Sequence, residues 1–266
     1  ISDVHLGTYG SRARELVAYL KSILPNILIL NGDIIDGWQF SKRYFPASHM
    51  AVIKEVLNLM TRGTRVFYIT GNHDELLRRY SDFTLSHFTL TDKLVLEIDH
   101  KMTWIFHGDV FDNTNKGSAK ILAKLGSNGY AALILFNRMV NGILRAFGRE
   151  KLSISKKVMA GVNKMSRVDE FETIAAELAI EKQYHYVICG HIHQPQKRVI
   201  ENGKGKVTYL NSGDWVEHLT ALEYRHNEWT IFEYNEKDFP QTAIDIPAKV
   251  NVITDEISFY INSLAI

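Results

Sequence analysis

The stretch "ILILNGDIID", residues 27–36, runs four apolar side chains directly into an asparagine, a glycine and an aspartate. An uninterrupted apolar run of this length is typical of a strand that is buried on both faces of a sheet. The glycine that follows allows the backbone to turn sharply and to approach a ligand closely. In α/β proteins, ligands bind beyond the carboxyl ends of such strands. The stretch therefore predicts an α/β fold with Asp33 at its ligand-binding edge.

The same pattern recurs in "VFYITGNHD", residues 66–74, where another apolar run ends in a glycine and polar side chains. Residues 12–24 and 49–63 carry apolar side chains at helical spacing, and Gly63 stands where a helix C-cap is expected. This alternation of strands and helices indicates a sheet covered by helices.

The residue pattern and the composition of the chain change after residue 113. Residues 113 to about 182 are helical in pattern, apolar and basic, and they end in a predicted helix over residues 166–182. Further strands are predicted at Leu94–Ile98, Thr103–Phe106, Val207–Asn211, Thr220–Tyr224 and Glu228–Tyr234. We expect one domain over residues 1–235 that contains a helical insertion at about 113–182. The sequence assigns no role to the tail, residues 236–266.

The composition is that of an ordinary globular protein, with 45% hydrophobic and 23% charged residues. A net charge of +1 lacks the basic excess that binding to a phosphate backbone uses, so we expect no nucleic-acid partner. The single cysteine excludes an intramolecular disulfide framework and fits a reducing compartment. No apolar run reaches the roughly 20 residues of a membrane span. Because the chain opens on a strand end without Met, we expect its native amino terminus to lie further upstream.

Five predicted strands end in carboxylate, amide or imidazole side chains. The segments are Asp3–His5, Asp33, Asn72–Asp74, His107–Asp109 and His191–His193. Alone, each segment is typical of turn chemistry or of a solvated loop. Together, and all at strand ends, they predict a metal site with nitrogen and oxygen ligands and no thiolate. This donor set suits Mn, Fe or Zn ions better than a structural zinc cage does.

This ordered set, D-x-H … G-D-x-x-D … G-N-H-D … H-G-D … G-H-x-H, resembles the calcineurin-like metallophosphoesterases over residues 1 to about 215. The resemblance implies a four-layer α/β sandwich, in which helices flank two facing mixed sheets and the helical insertion covers the site. It also implies two divalent metal ions, most often Mn, with Fe or Zn as alternatives. The implied ligands are Asp3, His5 and His193 for one ion and Asn72, His107 and His191 for the other, with Asp33 bridging.

The resemblance also implies roles for the residues around these ligands. His73 would protonate the leaving oxygen or stabilise the transition state, and Asp74 would orient its ring. Asp36 and Asp109 lie one step further out, where loop hydrogen bonding and a direct role are both open. The turn "NSGDWVE", residues 211–217, is interpreted as lying beneath the site without a catalytic role.

Several stretches together resemble the UDP-2,3-diacylglucosamine diphosphatase-like branch of this family. They are "SDVHLGTYGSRARELVAYL", "LNGDIIDGWQF", "FYITGNHDE", "FHGDVFD" and "GDWVEHLTAL". Members of the branch hydrolyse the pyrophosphate of UDP-2,3-diacylglucosamine to a lipid monophosphate and UMP in lipid A biosynthesis, typically with Mn. The resemblance thus implies a cytoplasmic protein, peripheral on the inner membrane of a Gram-negative bacterium. One departure is His73, since the best-characterised members carry arginine at this position.

The insertion leaves two interpretations open. Its apolar face could take acyl chains while Lys and Arg meet phosphate or an anionic membrane surface, or it could be a helical cap packed on the core. Asn163 and Lys164 are candidate substrate contacts, with a solvated helix face as the alternative. The alternative functions are a phosphoesterase for a soluble nucleotide or other phosphodiester, and an inert binding module of the same fold. The sequence does not indicate an oligomeric state.

Overall fold

The computed structural model describes residues 1–37, 44–111 and 160–239, with residues 160–170 described as backbone only. The helices are α1 (Ala13–Ser22), α2 (Ala47–Thr61) and α3 (Ala160–Glu181), with 3₁₀ turns at Glu75–Tyr80, Asp109–Phe111 and Glu236–Asp238. The strands are β1 (Ile27–Asn31), β2 (Arg65–Ile69), β3 (Phe83–Leu85), β4 (Phe88–Thr91), β5 (Lys93–Ile98), β6 (Lys101–Phe106), β7 (Tyr186–Cys189), β8 (Gln196–Asn202), β9 (Gly205–Asn211), β10 (Thr220–Arg225) and β11 (Glu228–Glu233).

The strands form two mixed sheets and a hairpin. The first sheet has the order β1-β2-β4-β3, in which the first three strands are parallel and β3 is antiparallel. The second has the order β5-β6-β7-β9-β8, with a parallel centre and antiparallel strands at both edges. β10 and β11 pair as an antiparallel hairpin. The carboxyl ends of the parallel strands carry the predicted ligand segments.

The two sheets face each other across a shared apolar layer. Ile29 and Ile69 of the first sheet belong to one cluster with Ile105, Ile188 and Leu210 of the second. Because side chains alternate along a strand, the intervening residues point outward. Those of the first sheet pack against α1 and α2, and those of the second pack against α3. This arrangement is the predicted four-layer sandwich.

The helices follow from their apolar spacing and their ends. In α1, Ala13, Leu16, Val17 and Leu20 recur on one face, and all four are buried. After α2, Gly63 adopts a φ of +98° and its N–H donates to the carbonyl of Met60 over 3.0 Å. This conformation is the one that glycine provides just past a helix end.

Most predicted elements end within two residues of the observed ones, but three strands were missed and one helix is longer. β3, β4 and β8 were not predicted. α3 is described from Ala160 and thus includes the six residues before the predicted start at Ser166. The predicted helices between residues 113 and 159 and the tail beyond residue 239 lie outside the described residues. Within the described ranges, no helix is both long and apolar enough to cross a bilayer.

Candidate metal centre

Five backbone segments converge at the carboxyl ends of β1, β2, β6 and β7. The chain start runs beside the loop after β1, where Asp3 N–H donates to Gly32 O and Leu6 bridges Ile35. Left-handed φ values, between 52° and 68°, occur at Asp3, His5, Asp33, His191 and His193. Such conformations cost roughly 1–3 kcal/mol each outside glycine and cluster at functional sites. The backbone is therefore fixed in unusual conformations at five of the predicted ligand positions.

The first group of ligand atoms comes from the chain start and the loop after β7. One atom each of Asp3, His5 and His193 lies within 4.8 Å of the others. Nε2 of His193 is 3.1 Å from Oδ1 of Asp3 and 3.4 Å from Nε2 of His5. The N–H of His191 donates to both carboxylate oxygens of Asp3, over 3.2 and 3.1 Å. One carboxylate and two imidazoles thus face a common point.

The second group brings together Asp33, His107 and His191, whose ligand atoms also lie within 4.8 Å of one another. Nδ1 of His107 contacts the carbonyl oxygen of Asn31 at 2.9 Å, which assigns the ring proton to Nδ1. Nε2 of His107 is the ring nitrogen that faces the site, and it lies 3.3 Å from Oδ2 of Asp33. This second group has the donor types predicted for it. The bridging role of Asp33 remains a prediction.

Two buried polar atoms support a cation at this second group. Oδ1 of Asn72 and Nε2 of His107 have no hydrogen-bond partner within the described ranges. A buried polar atom left without a partner costs about 1–3 kcal/mol. Each of the two atoms could bind a divalent cation, because an amide oxygen and an unprotonated imidazole nitrogen are metal donors. The residues present therefore fit the implied metal.

The glycine before Asp33 allows the close approach of His107. Gly32 has a φ of +79°, and a Cβ atom placed on it would overlap the His107 ring. The identity of this residue is thus dictated both by its backbone conformation and by the neighbouring imidazole.

The charges in the site compensate one another. Burial opposes the ionisation of Asp33, but the adjacent His107 holds the pKa of this carboxyl well below its usual range. Burial also favours the neutral form of His193, yet Asp214 and Asp3 raise the pKa of this imidazole to about 10. The Asp33 carboxylate consequently stays ionised at neutral pH, as a metal ligand must.

His73 is held by a different carboxylate from the one predicted. Its Nδ1 lies 2.8 Å from Oδ2 of Asp36, and Nδ1 of His5 is 3.4 Å from the same oxygen. The ring is partly exposed, with its Nε2 4.0 Å from Oδ2 of Asp33. Asp36, which the sequence left between loop hydrogen bonding and a direct role, therefore orients the candidate proton donor.

The expectation that Asp74 orients His73 is wrong. The Asp74 carboxylate accepts hydrogen bonds from the backbone N–H groups of Ile34 and Gly71 and from the hydroxyl of Tyr68. Burial raises the pKa of Asp74, and these donors oppose that effect only in part. Its side chain points away from the adjacent imidazole because it closes the "GNHD" turn onto β2 and the loop after β1.

The carboxylate of Asp109 belongs to an ion-pair cluster around Arg78. Its Oδ2 accepts from the guanidinium of Arg78 over 2.9 Å, and the same guanidinium contacts Asp92 at 3.3 Å. Arg78 also donates to the carbonyl and hydroxyl of Thr70. This ion-pair cluster ties the 3₁₀ turn after "GNHD" to the turn after His107.

One contributor to the site was not recognised from the sequence. Asp214, in the "NSGDWVE" turn, lies with its Oδ2 3.3 Å from Nδ1 of His193 and 3.1 Å from Nδ1 of His218. The turn itself was recognised, but the contact depends on the relative placement of two loops. The candidate substrate contacts Asn163 and Lys164 lie on α3, where only the backbone is described, so their roles stay predictions.

Comparison with known families supports the interpretation of this geometry. The sequence model of the calcineurin-like phosphoesterases matches residues 1–195. The chain belongs to the calcineurin-like phosphoesterase family. It is thus a metal-dependent phosphohydrolase, and the two groups of ligand atoms are candidate positions for the divalent ions that this phosphoesterase family implies.

The relatives of this phosphoesterase include curated bacterial enzymes of low identity. One is the UDP-2,3-diacylglucosamine hydrolase of Xanthomonas campestris pv. campestris (strain B100), 23% identical over 84% of this chain and 92% of its own length. The enzyme of the same name from Wigglesworthia glossinidia brevipalpis is 26% identical over 84% of this chain and 88% of its own. Among solved structures, an archaeal phosphodiesterase is 16% identical and covers 88% of this chain and 96% of its own, with a TM-score of 0.40.

Proposed function

We propose that this phosphoesterase hydrolyses the pyrophosphate of UDP-2,3-diacylglucosamine, or of a related UDP-linked glycolipid, to a lipid monophosphate and UMP. The reaction class rests on the two adjacent groups of ligand atoms at one sheet edge. The substrate class is supported by relatives named UDP-2,3-diacylglucosamine hydrolase, which align over most of both chains. We further propose a cytoplasmic position at the inner membrane, where such a substrate is found.

In this proposal Asp3, His5 and His193 hold one metal ion and Asn72, His107 and His191 the other, with Asp33 between them. When bound, two such ions supply Lewis acidity at the phosphoryl oxygens and activate the attacking water. Mn is the ion we expect, and the mixed nitrogen and oxygen donors also accept Fe or Zn.

His73 is the proposed general acid. Asp36 accepts a hydrogen bond from Nδ1–H and fixes the orientation of the ring, which leaves Nε2 to give a proton to the leaving oxygen. The partial exposure of the ring supports this role. Asp74 supports the same step indirectly, because it closes the turn that carries His73.

The test compares the kcat/KM values of the purified, Mn-loaded protein on different substrates. Release of UMP from UDP-2,3-diacylglucosamine, at a kcat/KM well above that for soluble nucleotide phosphodiesters, supports the proposal. If only the soluble substrates are cleaved, the second candidate function, a phosphodiesterase for soluble nucleotides, replaces it. The presence of His73 in place of the arginine of the best-characterised diphosphatases favours that second candidate. If neither class is cleaved and no metal binds, the protein is an inert binding module.

A further inference from the structure

The two carboxylate oxygens of Asp214 have different partners. Oδ1 accepts the backbone N–H groups of Val216, Glu217 and His218, over 2.9, 2.6 and 3.0 Å. These three donors are enough to fix the turn. Oδ2 makes none of these bonds and instead faces two imidazoles, with Nδ1 of His218 at 3.1 Å and Nδ1 of His193 at 3.3 Å. The carboxylate therefore has a function beyond that of closing its own turn.

The two ring nitrogens of His193 also face different partners. Nδ1 faces Asp214, while Nε2 faces the first ligand group, 3.1 Å from Oδ1 of Asp3 and 3.4 Å from Nε2 of His5. A carboxylate at one ring nitrogen fixes the tautomer and the ring orientation of a metal-binding histidine, and it increases the basicity of the other nitrogen. In this protein Asp214 is the carboxylate at Nδ1 of His193, and Nε2 is the nitrogen that faces the ligand group.

The turn that carries Asp214 is also attached directly to the ligand group. The backbone N–H of the next residue, Trp215, donates to the carbonyl oxygen of Asp3 over 3.1 Å. The carbonyl oxygen of Trp215 accepts from the N–H of Arg12 over 2.9 Å, and the indole ring is fully buried. A backbone hydrogen bond thus joins Asp3 directly to the turn that carries Asp214.

We infer that Asp214 is a positioning residue for metal binding. It holds His193 with the proton on Nδ1, which leaves Nε2 for the cation that Asp3 and His5 share. His218 contacts the same oxygen from the solvent side and is not needed for this effect. The inference rests on the proposed metal-dependent function, and it gives the "GDW" turn a role in ligand orientation.

The substitution Asp214→Asn tests this inference. An asparagine Oδ1 can still accept the three backbone N–H groups, but its amide nitrogen only donates and cannot accept from Nδ1–H of His193. Titration of the metal-free protein with Mn²⁺ in a calorimeter measures both sites. We expect the affinity of one site to fall roughly 10–100-fold, while the other stays within about threefold of the wild type. The unfolding temperature in EDTA should stay within about 2–4 °C.

Two variants serve as controls. Asp99→Asn makes the same chemical change in the hairpin between β5 and β6, where the carboxylate accepts from Tyr224 and contacts no ligand residue. His218→Gln removes the second imidazole that Asp214 faces. Both should bind Mn²⁺ as the wild type does. In the Zn²⁺-loaded wild type, long-range nitrogen–proton spectra should show the His193 proton on Nδ1.

The possible results separate the inference from the proposed function. Wild-type affinity at both sites in Asp214→Asn overturns the inference and leaves the metal-dependent function standing. A lower unfolding temperature in EDTA with unchanged Mn²⁺ affinity also overturns it, since Asp214 then serves only its turn. Failure of the wild type itself to bind Mn²⁺ overturns both.

Discussion

Nδ1 of His73 lies 2.8 Å from Oδ2 of Asp36, a residue on another loop, rather than against its sequence neighbour Asp74. The pair joins the loop after β1 to the loop after β2. A carboxylate that accepts a hydrogen bond from Nδ1 fixes the orientation of the ring, which a general acid requires.

The first prediction concerns this pair. Asp36→Asn should lower kcat by about 100-fold, at the low end of the range for lost acid–base assistance. His73→Gln should lower it by a similar factor. The double variant should be little worse than either single variant, because the two residues act as one unit. Steady-state kinetics at saturating Mn²⁺ measures this, with metal content determined in parallel because Asp36 also approaches His5. A fully multiplicative double variant would contradict the pairing.

The second prediction exploits the unpartnered oxygen of Asn72. Asn72→Leu replaces the amide by an apolar group of similar volume, so the metal-free protein should be as stable as the wild type or about 1 kcal/mol more stable. The same variant should bind one Mn²⁺ ion instead of two. Chemical unfolding in EDTA and metal analysis measure the two effects. Asn72→Asp, which keeps an oxygen ligand, is the control and should retain two ions.

The third prediction concerns the glycine beneath His107. Gly32→Ala should abolish metal binding at the second group and strongly destabilise the fold, since the new methyl group overlaps the ring and φ is positive. The matched control is Gly203→Ala in the turn between β8 and β9, where a Cβ meets no atom within 4 Å. That variant should unfold within about 1 kcal/mol of the wild type. Equal behaviour of the two variants would contradict the argument.

The fourth prediction concerns the ion-pair cluster around Arg78. Arg78→Met removes the guanidinium that faces the buried carboxylate of Asp109, and should reduce the free energy of unfolding by about 3 kcal/mol. The neighbouring Arg79→Met is the control. Arg79 lies over the exposed ring of Tyr80, so its loss should change stability by less than about 0.5 kcal/mol. Urea unfolding of both variants measures the two changes in the free energy of unfolding. A similar decrease in each would contradict the stabilising role of the cluster.

The central strands could be predicted because burial on both faces leaves an uninterrupted apolar run, as in β1 and β2. β8 could not, because it is an edge strand whose Lys197, Arg198 and Val199 are exposed and show no alternation. β3 is three residues long and all three residues are exposed, so it carries no burial signal.

The ligand segments could be recognised because they follow strand ends, where the fold itself brings them together. The partners of those ligands could not. Asp74 is adjacent to His73 in sequence, but the turn directs its side chain to Tyr68, and the more distant Asp36 takes its place. The contact between Asp214 and His193 likewise depends on how two loops lie against each other. Sequence spacing contains no information on such side-chain directions.

The left-handed backbone at Asp3, His5, Asp33, His191 and His193 bears on how quickly the ions enter. The hydrogen bonds at the chain start and in the loop after β1, such as that from Asp3 N–H to Gly32 O, join backbone groups alone and do not involve a cation. We therefore expect ion loading to be an association step that requires no refolding of these segments. Rapid mixing with Mn²⁺ should accordingly give a rate constant that rises linearly with ion concentration and is insensitive to mild denaturant.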